Sequence, residues 1–132
     1  MDNQNDFKWK QKYSLKIPEL DKQHKEIIAL VRDLSRLCAI DDKESYETFK
    51  IMLFSAAQYF RYHFFEEELL MQEKCYPEYP EHKEKHDKML QKLNEMINNI
   101  GKDEKINIKI ITDYLRGWFT EHFVTSDKLI GE

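Results

Sequence analysis

The sequence predicts an all-α protein: an up-down-up-down antiparallel four-helix bundle with an N-terminal arm. Four segments carry apolar side chains at alternating steps of three and four residues, which is the spacing of one helix face. Only three glycines and three prolines occur in 132 residues, which leaves little room for the turns of an all-β fold. Short connections near 39 to 44, 75 to 80 and 101 to 104 place consecutive helices side by side in opposite directions.

The first two predicted helices follow the arm. We expect the arm to cover residues 1–17 and to pack on a single bundle domain of residues 18–130. Pro18 suits the first turn of the first helix, where its missing N–H is not needed. The second helix shows the strongest periodicity, and its stripe takes in His63 and Glu67. Both side chains should therefore point inward, and a buried carboxylate needs a compensating charge.

The last two predicted helices are separated by equally clear signals. The third follows a break with two prolines at 76–80, and Gly101 makes a natural stop after it. The fourth opens near Glu104 or Lys105. Each of these helices also carries histidine on its apolar stripe, so we expect all five histidines of the chain to face the core.

Composition narrows the classes of function. A formal charge of −4 and a pI near 5.8 argue against a nucleic-acid partner, because phosphate binding needs clustered Lys and Arg. No stretch approaches the roughly 18 apolar residues of a membrane span. The polar N-terminus shows no secretory signal, and Cys38 and Cys75 fall about 40 Å apart at opposite ends of a long helix, too far for a disulfide. We expect a cytoplasmic monomer with two free thiols.

Five histidines and two acids form the candidate metal set, because helical angles and connection lengths bring them to one face and one level of the bundle. They are His24, His63, Glu67, His82, His86, His122 and Asp127. Structural zinc sites usually have four ligands with much thiolate, so seven nitrogen and oxygen ligands are too many for one zinc. Two metals bridged by the carboxylates fit the number, with one coordination position open. Iron, manganese, cobalt and zinc all accept such ligands.

The step of five residues from His122 to Asp127 is irregular. It rotates about 140° around a regular helix and would send Asp127 to another face. The sequence therefore predicts a widened turn or a loosened helix end between the two residues.

The chain resembles the hemerythrins, in particular the single-domain bacteriohemerythrins, from about residue 7 to residue 130. The matching motifs are Asp21-x-Gln23-His24, His63-Phe64-Phe65-Glu66-Glu67, Tyr76-Pro77 followed by His82-x-x-x-His86, and His122-x-x-x-x-Asp127. The resemblance implies reversible O2 binding at a non-haem centre of two iron ions. It also implies a saturated iron with three histidines, an O2-binding iron with two, and two bridging carboxylates. The resemblance assigns His82, His86 and His122 to the saturated iron and His24 and His63 to the O2-binding iron. Glu67 and Asp127 would bridge the two irons.

Apolar neighbours of these ligands along the helices are candidate walls of the O2 pocket. They are Ile27, Ile28, Phe60, Phe64, Trp118, Phe119 and Phe123. An apolar pocket excludes water and protons, which would otherwise strand the iron as ferric. The alternative for each residue is ordinary core packing. Glu66 and Glu68 are expected to be solvated, unless one of them orients a ligand imidazole.

Three functions remain open at this point. The first is carriage, storage or delivery of O2, with an unidentified protein that receives it. The second is an enzyme of peroxidase or oxidase type at the same centre, and the third is a sensor of oxygen, redox state or iron. No catalytic residue is predicted, because every histidine is used on metal and none remains as a general acid or base. We therefore expect an oxygen-binding protein rather than an enzyme.

Overall fold

The chain folds into the predicted four-helix bundle. A computed structural model describes residues 7–131, and within that range it contains helices and no strand. The helices are α1 Pro18–Cys38, α2 Lys43–Glu73, α3 Tyr79–Asn98 and α4 Glu104–Val124. Helix α1 contacts α2 and α4, and α3 contacts the same two helices, so the four enclose one core.

The helix ends follow the local sequence with one exception. Pro18 opens α1 as predicted, and the Asp42 carboxylate caps α2 by accepting the Ser45 N–H at 2.8 Å. Gly101 does not act as the expected stop, because α3 ends earlier and this glycine has no positive φ. It lies instead in a short 3-10 helix, Ile100–Lys102. The Asn107 side-chain amide donates to the carbonyls at the start of this turn and holds it in place.

The segment before α1 packs against the bundle. Phe7 and Tyr13 are buried in the common core, and the Tyr13 ring meets Phe123 edge to face at 5.4 Å between centroids. Asp21, in the first turn of α1, accepts hydrogen bonds from the Ser14 hydroxyl at 2.6 Å and the backbone N–H at residue 15 at 2.8 Å. Asp21 therefore fastens this segment to α1. Residues 1–6 of the predicted arm lie outside the described residues.

Two other expectations concern membrane-spanning helices and the two cysteines. None of the helices within residues 7–131 is long and apolar enough to cross a membrane. Cys38 is half-buried at the end of α1, where its sulfur lies 3.1 Å from Thr112 Oγ1. Cys75 is exposed in the turn after α2. Both thiols are free, as the sequence predicts.

Candidate metal centre

All seven predicted ligand side chains meet in one buried cluster inside the bundle. Each is between 0% and 4% exposed. In chain order, α1 supplies His24; α2 supplies His63 and Glu67; α3 supplies His82 and His86; α4 supplies His122; and the turn after α4 supplies Asp127. Every helix of the bundle therefore contributes at least one of them.

The cluster divides into two groups that share their carboxylates. The three-histidine group comprises His82, His86 and His122, and the two-histidine group comprises His24 and His63. Glu67 and Asp127 belong to both, and within each set the candidate ligand atoms lie within 4.8 Å of one another. The chain therefore offers five ligand atoms on one side and four on the other.

Glu67 presents one carboxylate oxygen to each group. Its Oε2 lies 3.2 Å from His24 Nε2 and 2.9 Å from His63 Nε2. Its Oε1 lies 3.2 Å from His86 Nε2 and 3.5 Å from His82 Nε2. A carboxylate with this orientation can bridge two cations.

Asp127 divides its oxygens in the same way. Its Oδ2 lies 3.1 Å from His24 Nε2, whereas its Oδ1 lies 3.0 Å from His82 Nε2 and 2.9 Å from His122 Nε2. Helix α4 ends at Val124, and the Asp127 N–H bonds the His122 carbonyl five residues back at 3.0 Å. This wide turn swings the carboxylate inward, so the predicted irregularity between His122 and Asp127 is confirmed.

The polar atoms at the centre of the cluster fit a pair of cations. His63 Nε2, His82 Nε2, Glu67 Oε1 and both Asp127 oxygens are buried without a hydrogen-bond partner. Native proteins rarely leave such atoms unsatisfied. Neighbouring ligands at about 2.1 Å from one metal lie about 3 Å apart, which matches the spacing between these nitrogens and oxygens. The nitrogen and oxygen donors therefore suit metal ions such as iron, manganese, cobalt or zinc.

The electrostatics of the cluster also favour cations. Burial raises the pKa of Glu67, but the imidazoles around it outweigh burial and hold that pKa well below its usual value. The pKa of Asp127 is lowered in the same way, despite its burial and the nearby Glu67 charge. Burial lowers the pKa of His24 and His82, yet the two carboxylates raise both values to about 9. The centre thus holds two buried anions that require positive charge beside them.

Two histidines are fixed from behind by side chains outside the predicted set. His63 Nδ1 donates to Gln23 Oε1 at 2.7 Å, and His86 Nδ1 donates to Glu68 Oε2 at 2.9 Å. Each bond leaves Nε2 free to face the centre and fixes the ring orientation. The sequence offers Glu66 and Glu68 for this role, and Glu68 is the one that takes it, whereas the sequence predicts no role for Gln23. The available signal is that each directly adjoins a ligand in the sequence.

Three of the predicted pocket residues stack on ligand imidazoles. Phe123 covers His24 at 4.2 Å between centroids. On the other side of the cluster, Phe64 covers His86 at 4.0 Å. Trp118, which is half-buried, covers His122 at 4.3 Å. The aromatic surroundings therefore belong to both groups and not to one alone.

The other four predicted pocket residues are buried in the core. Phe60 and Phe119 contact each other at 4.9 Å between ring centroids, and Ile27 and Ile28 lie on α1 just beyond His24. Their burial agrees both with an O2 pocket and with ordinary core packing. Their role as walls of an open coordination position stays a prediction.

Solvent approaches the cluster from the side of the three-histidine group. One cavity of about 200 Å³ includes His82 in its lining, and a second of about 140 Å³ includes His122. Lys85 and Ser126 line both cavities, and Lys85 Nζ donates to Ser126 Oγ at 2.7 Å. His24 and His63, by contrast, are fully enclosed.

Comparison with known proteins agrees with this geometry. Residues 15–131 match the family model described as the hemerythrin HHE cation binding domain. All seven cluster residues lie within the matched range.

Three curated relatives cover most of the chain. A bacteriohemerythrin of Clostridium acetobutylicum is 24% identical over 124 residues, which are 92% of this chain and 96% of the relative. A myohemerythrin of Sipunculus nudus is 28% identical over 124 residues, 92% of this chain and 88% of the relative. A bacteriohemerythrin of Methylococcus capsulatus is 29% identical over 111 residues, covering 84% and 82%.

Proposed function

Because the chain belongs to the hemerythrin HHE family, we propose that it binds O2 reversibly at a carboxylate-bridged di-iron centre, for carriage, storage or delivery. One observation carries the proposal: Glu67 and Asp127 each turn one oxygen to the three-histidine group and the other to the two-histidine group. A pair of bridging carboxylates is the arrangement that two adjacent metal ions need. The family resemblance supplies iron as the metal and O2 as the ligand.

The two groups offer different numbers of ligands. The three-histidine group and the carboxylates supply five ligand atoms, and the two-histidine group and the same carboxylates supply four. The position beside His24 and His63 is therefore the one with room for O2. When bound there, ferrous iron would supply the open coordination position and the electrons that O2 binding requires. The side chains of the protein hold, orient and shield that position.

Shielding is the second contribution of the protein. His24 and His63 are fully buried, and Phe123 stacks on the His24 ring. Phe60 and Phe119 are buried in the adjoining core. Such apolar surroundings keep water and protons from the site and so oppose loss of electrons from the iron. All five histidines point to the cluster, which leaves no further imidazole as a general acid or base for turnover.

The proposal includes the cytoplasm as the compartment in which the protein acts. Cys38 and Cys75 are both free thiols, and free thiols persist in a reducing compartment such as the cytoplasm. A protein that receives O2 from this chain is also part of the proposal and is not identified by any feature of the bundle.

Anaerobic loading with ferrous iron tests the function. We expect two irons per chain, and a visible charge-transfer band that appears with O2 and disappears when O2 is removed. His63→Leu is the loss-of-function variant, because it removes one ligand of the two-histidine group and should abolish the reversible band. A protein that takes up no iron on loading, or that is purified with one zinc ion in place of two irons, would contradict the proposal. Rapid conversion to ferric iron with sustained consumption of O2 or peroxide would assign an enzyme instead.

A further inference from the structure

Helix α2 carries a second apolar stripe on the side opposite the metal cluster. Its positions recur at steps of three or four residues along one helix face, but they face solvent. They are Ile51, 70% exposed, Phe54, 66%, Tyr62, 48%, Phe65, 58%, and Leu69, 40%. Gln58, also exposed, occupies the remaining position of the repeat. This outer stripe of α2 extends for about 27 Å along the helix.

The outer stripe is about as large as the largest apolar patch of a typical monomer, and such patches are often functional. Aromatic side chains have about 150–250 Å² of surface each. At the observed exposures, the five apolar residues leave on the order of 500 Å² of apolar surface in water, close to the largest patch on a typical monomer. A standard interface buries about 800 Å² per partner, which the stripe and the polar residues beside it can supply together.

The order of residues along the outer stripe is self-complementary. If two copies of α2 pack antiparallel about a two-fold axis level with residue 60, Ile51 lies opposite Leu69 of the other copy. In the same register, Gln58 lies opposite Tyr62, and Phe54 lies within one residue of the level of Phe65, an offset of about 1.5 Å. Every position then meets a partner of matching character, as a two-fold interface requires, and no charged residue lies within the stripe between 51 and 69.

The charges beside the outer stripe disfavour a lipid surface as its partner. Lys50 and Arg61 flank it, but so do Glu47, Glu66 and Glu73. Helices that lie on anionic membranes have polar faces rich in Lys and Arg, and the chain as a whole carries a charge of −4.

We propose that the outer stripe of α2 is a homodimer interface, in which two copies of the chain pack antiparallel through this helix. The proposal departs from the monomer expected from the sequence. It is independent of the metal chemistry, because the outer stripe faces away from the cluster. Because the apolar area is no larger than that of a standard interface, we expect a dimer that dissociates on dilution.

Sedimentation equilibrium of the iron-loaded protein over a range of concentrations tests the proposal. We expect the wild type to pass from monomer to dimer as concentration rises. Phe54→Lys and Phe65→Glu should each weaken the dimer at least tenfold, because each variant homodimer buries charge against phenylalanine twice. Mixing the two variants should restore the dimer, since Lys at position 54 then lies opposite Glu at position 65 and the second contact stays Phe with Phe.

Ile106→Lys is the matched control, because Ile106 is also about half exposed but lies on α4. This variant should dimerise like the wild type, and unchanged circular dichroism and iron content should show that all variants fold. A wild type that stays monomeric at every concentration overturns the proposal, and so does a dimer that neither charged variant weakens. Failure of the mixture to recover the dimer overturns the antiparallel register. Binding of the wild type to anionic vesicles, lost in Phe65→Glu, would assign the outer stripe to a membrane.

Discussion

The three-histidine group and the two-histidine group share two carboxylates but differ in their surroundings. The three-histidine group borders two cavities that open to solvent, and the acceptor behind His86 is the charged carboxylate of Glu68. The two-histidine group is fully enclosed, and the acceptor behind His63 is the neutral amide of Gln23. Similar ligands are therefore placed in a half that borders solvent and has an extra carboxylate behind it, and in a drier half with a neutral acceptor behind it.

Under the proposed function, this difference would give the two metal positions different roles. A carboxylate behind an imidazole makes the imidazole a stronger donor than an amide does. The three-histidine group thus combines more ligands with stronger donation, which suits a metal that is held permanently. The two-histidine group combines fewer ligands with dry surroundings, which suits a metal that exchanges a small apolar molecule.

The largest expected effect comes from the residue that both halves share. Glu67→Gln keeps the size of the side chain but removes the charge that faces both groups. We expect more than about 100-fold weaker iron binding at both positions, because loss of a direct ligand should exceed the 10–100-fold cost of losing an outer hydrogen bond. Iron content after anaerobic loading and desalting measures the effect.

His24→Ala is the comparison for that variant, because His24 belongs to the two-histidine group alone. It should lower the iron content toward one per chain. Equal losses in the two variants would show that the halves do not bind metal separately.

Much of this centre could be predicted from the sequence, because ligand residues obey helical geometry. Periodicity is enough to turn His63 and Glu67 inward, and the five-residue step to Asp127 is enough to require a widened turn. The turn appears as an Asp127 N–H bond to the carbonyl five residues back. These features depend on spacing within one helix or at its end, which the sequence states directly.

Contacts between helices were harder to predict. Glu68 supports a histidine of α3 and Gln23 supports a histidine of α2, so each choice depends on how two helices are rotated against each other. Gly101 shows the same limit. The local sequence predicts a helix stop there, but the structure has a 3-10 turn that Asn107 of the next helix stabilises. Spacing within one segment carries no information about such partners.

Glu68→Gln should produce the next largest effect and should confine it to one half. The His86 imidazole would lose its charged acceptor but keep a neutral one, so we expect iron affinity at the three-histidine group to fall about 10-fold, the lower end of the range for outer-shell changes. Anaerobic competition with a ferrous chelator measures both positions. Glu66→Gln removes the same charge from α2 at a residue that lines a cavity beside α1, and it should leave both affinities unchanged. A loss at both positions would contradict the separation of the halves.

Gln23→Glu should give the smallest effect and reverse the difference. The substitution places a carboxylate behind His63 in the dry half, so the imidazole becomes a stronger donor to the two-histidine group. We expect less than about a 10-fold gain in iron affinity there, a lower reduction potential for that iron and a shifted charge-transfer band. Gln23→Leu, which removes the acceptor, should shift the same band in the opposite direction. If both substitutions move the band the same way, the amide positions the ring and does not set its donor strength, and the difference between the halves reduces to ligand number and solvent access.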